Sequence, residues 1–189
     1  MIDEYSRNIL RELIRNPRQS DNQLARKLGM AVKTVNNKRK RLEKQGIVSY
    51  MASVNNGPNG TGSFGATAMY TITFKHGVYR KQFIDALASM PYSDKDPKHI
   101  AFMFLGEKDG HLVLMLLMRS RTFEDILEIF NVEIIRKINT YLGNDLIEST
   151  FVTPIADILT CFHNYSSLLN MESGTIKDTW PSDLIYVSD

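Results

Sequence analysis

A run of basic and amide side chains between Lys33 and Lys44 is the part of this sequence best suited to binding chemistry. Val35 and Leu42 are seven residues apart, so on a helix both would face inward. The residues that then fall on the opposite, outward face are Lys33, Asn37, Lys40, Arg41 and Lys44. Lys and Arg side chains bind phosphate or guanine, and Asn forms paired hydrogen bonds with adenine. The pattern therefore indicates a helix that contacts duplex DNA.

Within such a helix, the residues near the start usually reach the bases. The candidates for base contacts are Lys33, Thr34, Asn36 and Asn37. The residues further along the helix are predicted to bind phosphates, which positions the protein without specifying a sequence; they are Lys40, Arg41 and Lys44, with Lys38 in the same DNA-binding set. The alternative interpretation is a charged helix face that meets only solvent.

The preceding residues supply the elements that would position this helix. A first helix is expected over 3–16, and Ser20 with Gln23 forms a capping box that begins a second. Gly29 provides the turn before the third helix, predicted from about Val32 to Gln45. Residues 47–54 alternate loosely and predict a short hairpin. This order predicts a winged helix-turn-helix domain over 1–54.

Charge is distributed unevenly along the 189 residues. Residues 1–55 carry a net charge of +7, whereas residues 56–189 carry −5. A basic part beside an acidic part indicates two modules with different partners. Cys161 is the only cysteine, so no disulfide within the chain is possible, and no apolar run reaches the length of a membrane span. We expect a cytoplasmic protein without a membrane partner, a metal or another cofactor.

A Gly-rich segment at 55–65 is predicted to be a flexible linker. Its Gly60, Gly62 and Gly65 match the dinucleotide-binding pattern G-x-G-x-x-G, but they precede a strand, whereas that motif must follow one. The rest of the chain alternates as strand, helix, two strands, helix and strand. This order predicts an α+β protein whose second domain, at 66–158, is a ferredoxin-like βαββαβ sandwich, followed by an extension at 159–189.

Two predicted strands of that domain, at 100–105 and 112–118, are apolar on both faces. Helices would cover only one face of the sheet, so the other needs a different cover. A second copy of the sheet would supply it and make a homodimer or a larger homo-oligomer. The alternative is that the extension folds back over this face.

Four segments resemble the leucine-responsive regulatory protein/AsnC family of transcription regulators: 5–13, 24–29, 34–35 and 41–48. The resemblance covers about residues 2–155 and implies dimers, often assembled into octamers, with effector sites between the sensing domains. It implies a small-molecule, amino-acid-like effector near Gly106 and Asp109, which occupy the family's Gly-x-x-Asp turn. The chain departs from the family at Ala31, where a capping Ser or Thr is usual, at Arg39, where an apolar residue is usual, and in its extension.

Enzyme alternatives have little support in the sequence. His76, His99, His111 and His163 lack the spacing of metal ligands, and Cys161 beside His163 is a weak signal for a catalytic pair. Siroheme decarboxylase shares the two-part architecture, but its histidine motifs are not visible here. We therefore predict a sequence-specific DNA-binding transcription regulator rather than an enzyme. A DNA-architectural protein with little sequence preference is the alternative.

Overall fold

The computed structural model describes residues 2–94, 98–166 and 168–187. The chain forms two compact units, one made of Met1–Ser53 with Asp157–Asp189 and the other of Val54–Ala156. The extension thus groups with the amino-terminal helices, and the predicted linker groups with the second unit. No helix among the described residues is long and apolar enough to cross a membrane.

Three helices begin the first unit: α1 (Glu4–Arg15), α2 (Asp21–Leu28) and α3 (Val32–Lys44). Their apolar faces meet in one core that includes Ile9, Leu24 and Val35, each completely buried. Ser20 accepts a hydrogen bond from the Gln23 backbone and forms the predicted capping box. A capping box satisfies amide groups that the first helical turn leaves without partners, so it fixes where α2 begins.

The predicted hairpin at 47–54 is wrong: none of these residues belongs to a strand. A hairpin needs a tight turn, usually containing Gly or Asn, between two strands long enough to pair. The segment contains neither residue. The segment alternates apolar and polar residues, but it lacks a turn that would bring two strands together to pair.

Four antiparallel strands form the sheet of the second unit: β1 (Ala66–Phe74), β2 (Ile100–Lys108), β3 (His111–Ser120) and β4 (Ile147–Pro154). Their order in the sheet is β2-β3-β1-β4. This confirms the predicted ferredoxin-like arrangement. β2 continues past the predicted strand at 100–105 to Lys108, so only Asp109 and Gly110 turn the chain.

Helices pack on one face of this sheet. They are α4 (Arg80–Ser89) and a continuous helical run made of α5 (Phe123–Ile129), a π-helical turn (Phe130–Ile134) and α6 (Ile135–Tyr141). Phe130 in the π-helical turn stacks on Tyr70 of β1, with 3.7 Å between ring centroids. Thr122 and Asp125 form a capping box at the start of α5.

The segment predicted as a flexible linker forms a loop with backbone hydrogen bonds of its own. Thr61 and Phe64 donate backbone hydrogen bonds to Asn55 and Asn56, and Gly65 donates one to Ser120. A Cβ on Gly60 would lie 1.9 Å from the backbone oxygen of Asn55, so only glycine fits there. The glycines therefore allow close backbone packing before β1, and the flexibility of the segment stays a prediction.

The extension packs against α1. It contains two small hairpins, β5 (Thr160–Phe162) with β6 (Tyr165–Ser166) and β7 (Met171–Glu172) with β8 (Thr175–Ile176). The Tyr165 hydroxyl donates a 2.9 Å hydrogen bond to the Ile14 carbonyl. Ile176 and Ile185 are almost completely buried.

Arg15, at the end of α1, is the main polar anchor of the extension. It is 4% exposed, and its guanidinium donates to the carbonyl oxygens of Lys177 at 2.6 Å and Trp180 at 2.8 Å, and to the Ser182 hydroxyl at 3.0 Å. A planar guanidinium can serve three acceptors at once. The extension is thereby tied to the helix that supports α2 and α3.

Candidate DNA-binding surface

Helix α3 is fixed by its inner face. Val35 is completely buried and Leu42 is 3% exposed, and both pack in the core shared with α1 and α2. Gly29 has a φ of 63°, the left-handed conformation that favours glycine, so it ends α2 and turns the chain toward α3. Ala31 provides no side-chain cap, as its type predicts. The start of α3 therefore keeps backbone amide groups available to an anion.

The outer face of α3 is an exposed surface of cationic and polar side chains. Its exposed members are Lys33, Thr34, Asn37, Lys40, Arg41 and Lys44. None of these side chains makes a hydrogen bond or ion pair with another residue in the described part of the chain. We call this set the α3 outer face. Its charge is therefore available to an external polyanion rather than neutralised within the protein.

Two residues predicted to contact DNA are instead engaged within the protein. The Asn36 side chain donates a 2.6 Å hydrogen bond to Asp21 at the start of α2. The Lys38 ammonium lies 2.6 Å from the Asp3 carboxylate. The Lys38 hydrogen bond, aided by the Ser6 backbone amide, lowers the pKa of Asp3 to about 2. These contacts fasten α3 to its two neighbouring helices.

Arg39 occupies the inward position where an apolar residue is usual, and polar contacts replace the missing apolar packing. Its guanidinium donates to the Gln19 carbonyl at 2.9 Å, to Asp21 at 3.3 Å, to Glu43 at 3.1 Å and to the Tyr50 hydroxyl at 3.0 Å. Burial opposes the charged form, but the hydrogen bonds that Arg39 donates to Tyr50, Glu43 and Asp21 outweigh it and raise the pKa of Arg39. Arg39 thus orients α3, a role that the sequence analysis did not identify.

The proposed effector residues lie on the hairpin between β2 and β3. Gly106 is half-buried in β2 and pairs with Val113. Asp109 has a φ of 52° and is followed by Gly110 with a φ of 80°, so the two form the tight turn. An Asp-Gly pair is typical of such turns because both positions need a positive φ. This accounts for Asp109 without a ligand, and its effector role stays a prediction.

The structure brings together two of the four histidines. The ring centroids of His76 and His111 are 3.7 Å apart. The Nδ1 atom of His111 lies 2.8 Å from the Phe74 carbonyl oxygen and 2.8 Å from a carboxylate oxygen of Glu148. Both partners accept hydrogen bonds, so Nδ1 carries the hydrogen. Across the described residues, no group of three His, Cys, Asp or Glu could hold a metal ion. The side chain of Cys161 lies outside the described part of the structure.

A helix-turn-helix with a cationic outer face is the arrangement of a DNA-binding domain. Residues 2–49 match the family described as winged helix-turn-helix DNA-binding. A comparison of the chain with curated protein sequences found no match.

Solved structures that share the fold include transcription regulators. E. coli AsnC is 18% identical, with a TM-score of 0.62 over 86% of this chain and 97% of that chain. An AsnC family transcriptional regulator from Agrobacterium tumefaciens is 12% identical, with a TM-score of 0.64 over 88% and 95%. A transcriptional regulator from Neisseria meningitidis, solved as a complex with L-Met, is 14% identical, with a TM-score of 0.62 over 88% and 95%. The resemblance seen in the sequence is therefore confirmed in the fold.

Proposed function

We propose that this protein is a sequence-specific DNA-binding transcription regulator that acts in the cytoplasm as a homodimer or larger homo-oligomer. The observation that carries the proposal is the α3 outer face, whose cationic and amide side chains have no partners among the described residues. A buried inner face and the Arg39 contacts hold α3 rigidly, which is what base recognition requires. The comparison with solved transcription regulators supports regulation over catalysis, and we propose no catalytic role.

We assign different tasks to the two halves of α3. Lys33, Thr34 and Asn37 are proposed to contact bases, because they are exposed in the first half of the helix. Lys40, Arg41 and Lys44 are proposed to bind phosphates. Asn36 and Lys38 would have to leave Asp21 and Asp3 before they could reach DNA. We therefore propose that these two residues mainly orient the helix.

Asn37→Ala is expected to relax the base preference at one position of each half-site. Loss of a paired contact to adenine should remove about 1–3 kcal/mol of discrimination at that position. The measurement is the relative affinity for duplexes that differ at one base pair.

Asn36→Ala is the matched control because it removes the same side chain from the neighbouring position. It should lower thermal stability, since Asp21 loses a partner, while the base preference remains. If Asn37→Ala left every relative affinity unchanged, Asn37 would be excluded from base recognition.

Sequence preference also separates the regulator from the DNA-architectural alternative. Both would bind through phosphates and lose affinity as salt rises. Only a regulator would discriminate strongly among duplexes of equal length. The exposed Asn37 favours the regulator, because an amide side chain is suited to base edges rather than to phosphate neutralisation.

We propose that the dimer forms through the face of the sheet opposite the helices. Phe104 pairs with Met115, Met115 with Thr71, and Thr71 with Phe151 across the four strands. Cross-strand partners lie on the same face, so these side chains form a row. Phe104 is 47% exposed and Phe151 is 68% exposed. A second copy would remove this apolar surface from water.

Phe104→Glu is expected to convert the dimer into a monomer, because it would bury a carboxylate without a partner at the interface. Sedimentation velocity measures the change in mass. Val132→Glu is the control, since Val132 is also exposed, at 60%, but lies in the helical layer. A Phe104→Glu protein that sediments like the native protein would rule out this interface.

A small-molecule, amino-acid-like effector is part of the proposal. It is supported by the fold shared with the regulator solved with L-Met. The hairpin carrying Gly106 and Asp109 is its proposed location. Asp109→Asn should keep the turn, because Asn also tolerates a positive φ, while removing the charge available to an effector.

A further inference from the structure

The second unit contains an apolar cavity that is separate from the Gly106–Asp109 hairpin. It has a volume of about 350 Å³ and lies between α4, α6 and the helix-covered face of the sheet. Its floor includes Leu114, Leu116 and Ile138, all buried. Among the described residues that line it, only Asp94 and Lys137 are charged.

The walls of this cavity suit an apolar ligand. Apolar surface that a ligand covers is removed from water, which favours binding. Sites for small molecules have comparable volumes, with mostly apolar walls and a few polar groups that orient the ligand. The cavity has this construction.

The two charged residues indicate the head group of the ligand. Asp94 already accepts a hydrogen bond from the Tyr141 hydroxyl. Lys137 is half-buried and makes no hydrogen bond or ion pair within the described part of the chain. The cation is therefore the group still available at the cavity, and a carboxylate is its natural partner.

We propose that this cavity binds a medium-chain aliphatic carboxylate, with the chain among the buried leucines and the carboxylate paired with Lys137. The inference deepens the proposed function, because it gives the second unit a ligand and a second place for effector control. Binding itself requires no DNA, so the site can be tested whether or not the regulatory role holds.

Three probes with the same chain length test the proposal on the full-length protein: octanoate, octanol and octylamine. Calorimetric titration should give saturable binding of octanoate at one molecule per chain. Octanoate should bind about tenfold more tightly than octanol, because its carboxylate forms one charge-assisted hydrogen bond that the alcohol lacks. Octylamine should bind more weakly than octanoate, because it has no negative charge to pair with Lys137. An affinity for octylamine equal to that for octanoate would overturn the assignment of the head group.

Variants locate the site. Lys137→Met should lower the affinity for octanoate to that for octanol, whereas Arg136→Met, the same loss of charge at the next position of α6, should not. Ala86→Phe should abolish binding of all three probes by filling the cavity, and a cooperative melting transition would show that it remains folded. Octanoate binding that survives both Lys137→Met and Ala86→Phe, or no octanoate binding to the native protein, would refute the proposal. DNA affinity measured on the same samples reports the proposed function separately.

Discussion

Replacement of both Lys40 and Arg41 by alanine is expected to weaken binding to every duplex DNA by about a hundredfold at physiological salt. Each side chain is exposed and has no partner among the described residues, so each is free to bind a phosphate. Loss of a charge-assisted hydrogen bond corresponds to about tenfold in affinity, and two such losses multiply. In a plot of the logarithm of affinity against the logarithm of salt concentration, the magnitude of the slope should fall by about two. Fluorescence anisotropy over a salt series measures both quantities.

A paired substitution in the second unit controls for total charge. Arg80 and Lys81 are also adjacent, exposed and helical, but lie in α4. Their double replacement by alanine removes the same charge and should leave the salt dependence close to that of the native protein. Equal losses in both double variants would show that overall charge, rather than the α3 outer face, drives binding.

Arg15→Ala is expected to lower the free energy of unfolding of the first unit by about 3 kcal/mol. Two carbonyl oxygens and a hydroxyl would lose their charged donor, and a hydrogen bond to a charged group contributes about 1.5–3 kcal/mol. Trp180 is the only tryptophan and belongs to this contact, so its fluorescence during urea unfolding reports on the extension.

Arg18→Ala is the control for this change, because Arg18 is exposed in the loop after α1. It should change the unfolding free energy by less than about 0.5 kcal/mol. Arg15→Lys should resemble Arg15→Ala more than the native protein, since an ammonium group does not reproduce the planar geometry of the three hydrogen bonds. If Arg15→Ala unfolded at the same urea concentration as the native protein, the extension would not be an integral part of the unit.

Local signals in the sequence were sufficient where a short-range rule decides the structure. The Ser20 capping box begins α2 as predicted, because a cap depends on residues three positions apart. The strand order followed from periodicity and from the few topologies open to a βαββαβ chain. The inward positions of Val35 and Leu42 followed from helical spacing alone.

Long-range polar contacts could not be predicted in the same way. Arg39 and Asn36 both meet Asp21, and Lys38 meets Asp3 across 35 positions of sequence. Spacing along α3 could not distinguish the side chains that bond to neighbouring helices from those that are exposed. Arg15 and its partners in the extension are more than 160 positions apart. Its position in the last turn of α1 gave no sign of these partners.

The segment at 55–65 shows what composition alone cannot predict. Composition rich in glycine is typical of flexible linkers, but it also suits a tight loop in which backbones approach closely. The contact between Gly60 and the Asn55 backbone is of the second kind. Composition alone does not distinguish the two, because the difference lies in hydrogen bonds that form only in the folded chain.

Selection of fragmented genomic DNA by the purified full-length protein at physiological salt, followed by sequencing of the retained fragments, tests the central claim most directly. A two-fold dimer that inserts α3 into the major groove predicts enrichment of a pseudo-palindrome. Its half-sites should lie one helical turn, or a multiple of it, apart. Even recovery of all fragments, or recovery of none, would contradict a sequence-specific regulator.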